Sequence, residues 1–173
     1  KIMEERVKAE GLWDLYSEIE LPLIPVLEQM KQTGIILDTK YLATLSKKLH
    51  KELDSLEQSI YKHAGSEFNI NSPKQLGEIL FDTLDLHPKN AKKTSGGKRS
   101  TKESELEKLL DEHPIIPDIL RYRELKKLVS TYIDNLPEMV GKDGRIHSTL
   151  LQTGTSTGRM ASKDPNVQNI PTR

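Results

Sequence analysis

The sequence predicts a mainly α protein built on a long antiparallel helical hairpin, with short helices at its tip and a small β element near the C-terminal end. Three observations carry that expectation. Apolar residues recur at intervals of three and four over residues 39–64 and again over 115–135, the period of one helix face. Two Ser-led capping signals open short apolar stretches between these segments. Strand character is confined to residues 145–153, after the turn Lys142-Asp143-Gly144.

The first stretch reads as helix, with Leu12, Leu15, Tyr16 and Ile19 on one face, and is expected to stop at Leu21-Pro22. Leu23, Ile24, Leu27 and Met30 form a second stripe that ends at Gly34, a residue that tolerates the backbone of a helix stop. From Asp38 a longer pattern begins: Leu42, Leu45, Leu49, Leu53, Leu56 and Ile60 line one face, and Lys47, Lys48, Lys51, Glu52, Glu57 and Lys62 line the other. A helix over 39–64 would be about 39 Å long. Its stripe needs another long helix, and Ile116, Ile119, Leu120, Leu125, Leu128, Tyr132 and Ile133 supply the antiparallel partner.

Between the two rods, Ser72-Pro73-Lys74-Gln75 offers a capping Ser, a first-turn Pro and a Gln three residues on, followed by Leu76, Ile79, Leu80 and Leu84. Ser100-Thr101-Lys102-Glu103 repeats the arrangement ahead of Leu106, Leu109 and Leu110. Residues 90–99 have no periodicity and read as a mobile tip. The last twenty residues are rich in Gly, Ser, Thr, Asn and Pro, and look like the first piece of a further domain.

Composition narrows the function classes. In 173 residues, 35% hydrophobic and 30% charged, there is no Cys, which excludes disulfides, thiolate metal sites and a cysteine nucleophile. No apolar run approaches the ~20 residues of a membrane span, and no signal-peptide core opens the chain, so a soluble protein is expected. The formal net charge of zero is unevenly laid out. Residues 1–85 hold ten basic and fifteen acidic groups, whereas residues 86–173 hold sixteen and eleven. Between 86 and 104, Lys89, Lys92, Lys93, Lys98, Arg99 and Lys102 face only Glu103. A polyanion contact is therefore to be sought in the second half, the alternative being a solvated Lys-rich loop.

Three other chemistries find little support. Gly96-Gly97-Lys98-Arg99-Ser100-Thr101 fails as a nucleotide-phosphate loop, because Arg99 separates Lys from Ser and no strand precedes it. His50, His63, His87, His113 and His147 are scattered without metal-ligand spacing. The charge pairs on the long helices read as solvated faces of small individual worth.

The most specific run is Thr153-Gly154-Thr155-Ser156-Thr157-Gly158-Arg159-Met160-Ala161-Ser162-Lys163-Asp164-Pro165-Asn166-Val167-Gln168-Asn169-Ile170-Pro171. It resembles the stretch that opens the palm of family A DNA polymerases, T-x-T-G-R-L-S-S-x-x-P-N-L-Q-N-I-P. Upstream, Tyr122-Arg123-Glu124-Leu125, Lys127-Leu128 and Ser130-Thr131-Tyr132 resemble the family's thumb helix, and Gly97-Lys98-Arg99-Ser100-Thr101 its thumb tip. Phe68-Asn69-Ile70-Asn71-Ser72 and Glu20-Leu21-Pro22-Leu23 follow in the same order. The resemblance implies the end of an exonuclease-like domain at 1–22, a thumb at 23–142 and the start of a palm at 143–173. Departures are Val129, where a second basic residue is common, Leu151 at an often polar position, and Met160-Ala161 for Leu-Ser.

Such a polymerase, serving replication or repair, grips primer–template DNA of any sequence. Its contacts should fall on phosphates and on features shared by all base pairs. Lys98, Arg99 and Lys127 are the phosphate candidates, with Ser100, Thr101, Ser130 and Thr131 as hydroxyl donors and helix N-termini at Ser72 and Ser100 adding N–H groups. Every Watson–Crick pair also presents purine N3 or pyrimidine O2 acceptors in the minor groove. Arg159, Asn166, Gln168 and Asn169 are the matching donor candidates; for the three amides the alternative is to satisfy backbone groups in an irregular loop.

The family's chemistry uses Mg²⁺ held by palm carboxylates, the first in a D-Y-S-x-I-E motif that does not occur here; Leu15-Tyr16-Ser17-Glu18-Ile19-Glu20 has Leu where Asp is required. No catalytic or metal residue is therefore expected in this chain, which alone should neither polymerise nor cleave. Mg²⁺ and deoxynucleoside triphosphate belong to the intact enzyme, expected to be a monomeric, cytoplasmic, nucleoid-associated protein without membrane contact. The rivals are a stand-alone helical hairpin for protein contacts and a different nucleic-acid enzyme sharing the thumb.

Overall fold

A computed structural model describes residues 2–87 and 99–171. The chain divides into two compact units, residues 40–134 and the pair of segments 1–39 and 135–173.

The unit spanning 40–134 is the expected helical hairpin. Helix α3 runs Thr39–Ala64 and helix α6 runs Ile115–Leu128, continuing through a wider, π-type turn at Val129–Ile133. Polar pairs fix their antiparallel register. Ser46 Oγ and His50 Nε2 reach the Asp134 carboxylate at 2.8 and 2.9 Å, Arg121 reaches Glu52 at 2.9 Å, and Ser59 Oγ donates to Asp118 at 2.6 Å. As numbers rise along α3 they fall along α6.

The apolar stripes close on each other beneath these pairs. Leu49, Leu53 and Ile60 of α3 share one core with Ile115, Ile116, Ile119, Tyr122 and Leu125 of α6, joined by Val129 and Ile133. Helix α4 (Pro73–Gly77) with its wide turn Glu78–Thr83, and helix α5 (Glu103–Leu106) with the tight turn Glu107–Leu109, add Leu76, Leu80, Phe81, Leu106 and Leu109 to the same core.

Two capping expectations resolve differently. Ser72 caps α4, its Oγ accepting the Gln75 N–H at 3.4 Å, but the Gln75 side chain turns to the Asn69 N–H at 2.7 Å rather than back to Ser72. Ser100 does not cap α5. Lys102 holds the cap position, and Ser100 Oγ accepts the Lys102 N–H at 3.3 Å in a local turn, so no helix N-terminus opens at Ser100. The tip at 90–99 lies outside the described residues except for Arg99.

In the other unit, helix α1 spans Ile2–Ala9 and helix α2 spans Leu21–Thr33. The expected stop at Leu21-Pro22 does not occur. Leu15–Glu20 winds as a π-type turn directly into α2, with the Leu21 N–H bonded to the Tyr16 carbonyl. Pro22 falls in the first turn of α2, directly after the wider turn, and the helix continues through it. The apolar stripes are present as read, yet only Leu27 of α2 is buried; Leu12, Leu15, Ile19, Ile24 and Met30 are 45–57% exposed among the described residues.

Strand β1 (Ile35–Ile36) pairs antiparallel with β2 (Arg145–Ile146). Strand β3 (Thr149–Leu151) pairs antiparallel with β4 (Ala161–Lys163), with Leu150 opposite Ser162. The weak strand signal at 145–153 is thus two short strands, and the second finds its partner in the Gly- and Ser-rich C-terminal stretch. Among the described residues no helix is long and apolar enough to cross a membrane.

Ile119 is fully buried at the centre of the hairpin core. Ile119→Ala is expected to destabilise the helical unit by about 2–5 kcal/mol, read by denaturant unfolding, because it removes buried apolar contact and leaves a cavity that a close-packed core refills only in part.

Candidate nucleic-acid interface

The C-terminal segment is shaped by two glycines. A Cβ on Gly154 would stand 2.6 Å from the Ala161 Cβ, so the chain crosses β4 only with glycine there. Gly158 turns at φ +74°. Between them Thr155 Oγ1 donates to the Arg159 carbonyl at 2.7 Å, closing the Thr-Ser-Thr-Gly-Arg turn on itself. This fixes the backbone of Arg159. Its guanidinium is exposed, and among the described residues it makes no hydrogen bond or ion pair.

Asn166, Gln168 and Asn169 are exposed on the following loop. Asn166 Oδ1 accepts from Ser162 Oγ at 3.0 Å and from the Gln168 N–H at 3.1 Å, while Gln168 Nε2 donates to the Met160 carbonyl at 3.1 Å. The local role weighed for the amides is therefore real for Asn166 and Gln168, and each still presents atoms to solvent. Below the loop, Ser148 Oγ donates to the Pro165 carbonyl at 2.7 Å.

A second group lies on the helical unit. Lys127, Ser130 and Thr131 share one exposed face at the end of α6, at helical spacings of three and four. Ser130 spends its proton on the Lys126 carbonyl at 2.7 Å, so it offers acceptor lone pairs in place of the donor expected of it. Val129 is 1% exposed and packs in the core, so that departure from the family pattern falls inside the unit and not on the exposed face.

Arg99 is exposed, its guanidinium 5.4 Å from the Phe81 ring centre, with Nη1 bonded to His87 Nδ1 at 2.9 Å and to the Phe81 carbonyl at 3.4 Å. His87 Nε2 meets Asp85 at 2.7 Å, which makes Nδ1 the acceptor for arginine. Ser100 and Thr101 are each only 7% exposed, which leaves little hydroxyl surface for a phosphate. Thr101 instead gives its carbonyl to Arg123, whose guanidinium is lowered from its ordinary pKa by burial, with Glu103 opposing. Lys98 lies outside the described residues. Ser162, whose hydroxyl meets Asn166, was not among the sequence candidates; its position four before Asn166 was the available signal.

Among the described residues no three His, Cys, Asp or Glu side chains gather to hold a metal.

The profile described as DNA polymerase family A matches residues 39–173. The chain belongs to that family. It is 49% identical to the thermostable DNA polymerase I of Thermus thermophilus, over 99% of this chain and 21% of that protein. It is 48% identical to the DNA polymerase I of a Synechocystis strain, over 100% of this chain and 18% of that protein. Among solved structures it resembles the polymerase domain of Mycobacterium smegmatis Pol1 in complex with DNA primer–template and dNTP, with TM-score 0.88 and 34% identity, covering 98% of this chain and 30% of that one. The chain spans about a fifth of the length of the curated relatives it matches.

His147 ties the frame beneath the loop. Its Nδ1 meets the Lys31 carbonyl at 2.7 Å and its Nε2 meets Asp143 at 3.0 Å. With an acceptor at each nitrogen, the Lys31 carbonyl and then the Asp143 carboxylate raise the His147 pKa above its ordinary 6.5. Desolvation pushes Asp143 up, but the Arg145 N–H and His147 outweigh it and leave the carboxyl low. The stabilisation from His147 should be complete below about pH 6.5 and be lost as pH rises through its elevated pKa. The Asp143 share should disappear as pH falls through its depressed one. NMR titration of the His147 ring, with amide exchange at 34–36 and 145–147, checks this; His147→Ala should abolish the upper limb.

Proposed function

We propose that this chain is the thumb and early palm of a DNA-directed DNA polymerase acting in replication or repair, and that its share of the work is to hold primer–template duplex without reading its sequence. The divisions at 1–22, 23–142 and 143–173 belong to this reading, and the compact helical unit 40–134 lies inside the thumb segment. The observation that carries it is Arg159: a guanidinium without a partner among the described residues, on a backbone fixed by Thr155, leading a loop of exposed amides.

The physics favours division of labour. Lys127 and Arg99 supply positive charge that attracts phosphates through counterion release, a force indifferent to base identity. Arg159, Asn166, Gln168 and Asn169 supply N–H donors suited to acceptors common to every base pair in the minor groove. Val129 and the partly shielded Ser100 and Thr101 are scaffold in this reading, not contact. In the intact polymerase, Mg²⁺ would supply Lewis-acid chemistry at the nucleotide, held by carboxylates other than those described here.

Duplex binding by the 173-residue chain, titrated against salt, tests the proposal. Affinity is expected to fall linearly in log–log form, with Lys127→Ala reducing the slope by about 0.9 and Arg159→Ala weakening binding to duplexes of every sequence alike. Absence of salt-dependent duplex binding would favour a helical module for protein contacts instead.

A further inference from the structure

We propose that Ser162 is a positioning residue that locks the Asn166 amide with its N–H groups facing outward, so that Asn166 presents only donors to the duplex. The inference rests on the DNA-holding role proposed above and adds a residue that the contact candidates did not include.

Ser162 is 5% exposed and its hydroxyl is fully used. It donates to Asn166 Oδ1 at 3.0 Å and accepts the N–H groups of Val167 at 3.2 Å and Gln168 at 3.4 Å. One proton and two lone pairs are all a hydroxyl has. The second bond to Asn166 Oδ1 comes from the same Gln168 backbone N–H, which is shared between that oxygen at 3.1 Å and the Ser162 hydroxyl at 3.4 Å. A backbone N–H can only donate, so the amide atom facing it must be oxygen. Nδ2 therefore points away from the loop, on an exposed residue, and among the described residues it has no partner.

An unrestrained asparagine turns its amide over readily. Half of its orientations would then bring a carbonyl against purine N3 or pyrimidine O2, acceptor against acceptor. Fixing the orientation before binding removes that repulsion and the entropy of choosing. Gln168 is a poorer reader here, since one of its N–H groups is already spent on the Met160 carbonyl. The Ser148 bond to the Pro165 carbonyl holds the other end of the loop, so rotation at Asn166 is the freedom that Ser162 removes together with the Gln168 N–H, which Ser162 itself helps to hold in place.

The test measures binding of the 173-residue chain to primer–template in which each of the three terminal purines is replaced in turn by its 3-deaza analogue, which lacks the minor-groove N3 acceptor. At one position or more, the analogue should cost the unaltered chain about threefold to tenfold in affinity, the worth of one hydrogen bond. Ser162→Ala and Asn166→Ala should each remove that discrimination at the same position, and the double variant should be no worse than either alone. Ser162→Thr, which keeps the hydroxyl, should retain it. Lys127→Ala should weaken both duplexes equally.

Asn166→Asp is the second arm. It keeps both accepted bonds and the loop, but presents an acceptor outward, so it should lose the discrimination without losing melting temperature. Full discrimination retained by Ser162→Ala or by Asn166→Asp overturns the proposal, as does additive loss in the double variant. No binding by the unaltered chain, or binding that Arg159→Ala leaves unchanged, would instead overturn the DNA-holding role itself.

Discussion

A 26-residue helix with an apolar face on one side and lysines on the other cannot stand alone in water, and the helical unit follows from that constraint. The stripe of α3 needs a second stripe running back along it, and α6 with its wide final turn provides one over much of its length. Once the rods are apposed, the short helices have one place to put Leu76, Leu80, Leu106 and Leu109, the end of the same core. The polar pairs along the seam then select a register. Arg121 is raised above its ordinary pKa by Glu52 despite desolvation, and Asp134, though desolvated, is held low by Ser46 and His50. These pairs are part-exposed, so they choose alignment more than they add stability.

The unit that contains Arg159 is organised by a different rule. Its strands are two or three residues long and its C-terminal segment has few core formers. Order there comes from saturating hydrogen bonds: Thr155 to the Arg159 carbonyl, Ser148 to the Pro165 carbonyl, Ser162 to three partners. A loop fixed in this way can leave charged and amide groups facing solvent without collapsing, which a hydrophobic loop could not do.

That contrast explains what was legible beforehand. The helical hairpin could be read because helical periodicity is a burial signal, and α3 appeared at its expected bounds. Pro22 misled because a proline removes one N–H without having to end a helix, and the wide turn at Leu15–Glu20 leads straight through it into α2. Ser100 misled because a capping pattern in sequence does not say which residue leaves helical geometry. At the candidate interface, Arg159 and the amides stood out through the motif. The use of their atoms did not: that Asn166 Oδ1 is occupied and Ser130 has spent its proton depends on neighbours two to four residues away, which spacing alone does not orient.

The same distinction accounts for where the sequence departs from the family pattern. Met160 replaces a leucine, but the loop uses its carbonyl, which any residue supplies. Ala161 meets the backbone at Gly154, where small size is the requirement and a hydroxyl is not. Val129 replaces a basic group at a position turned into the core. By contrast Gly154, Gly158, Ser162, Asn166 and Gln168 each do something that depends on the side chain itself or on the lack of one. At Met160, Ala161 and Val129, then, what the structure uses is backbone or volume and not the chemistry of the replaced side chain.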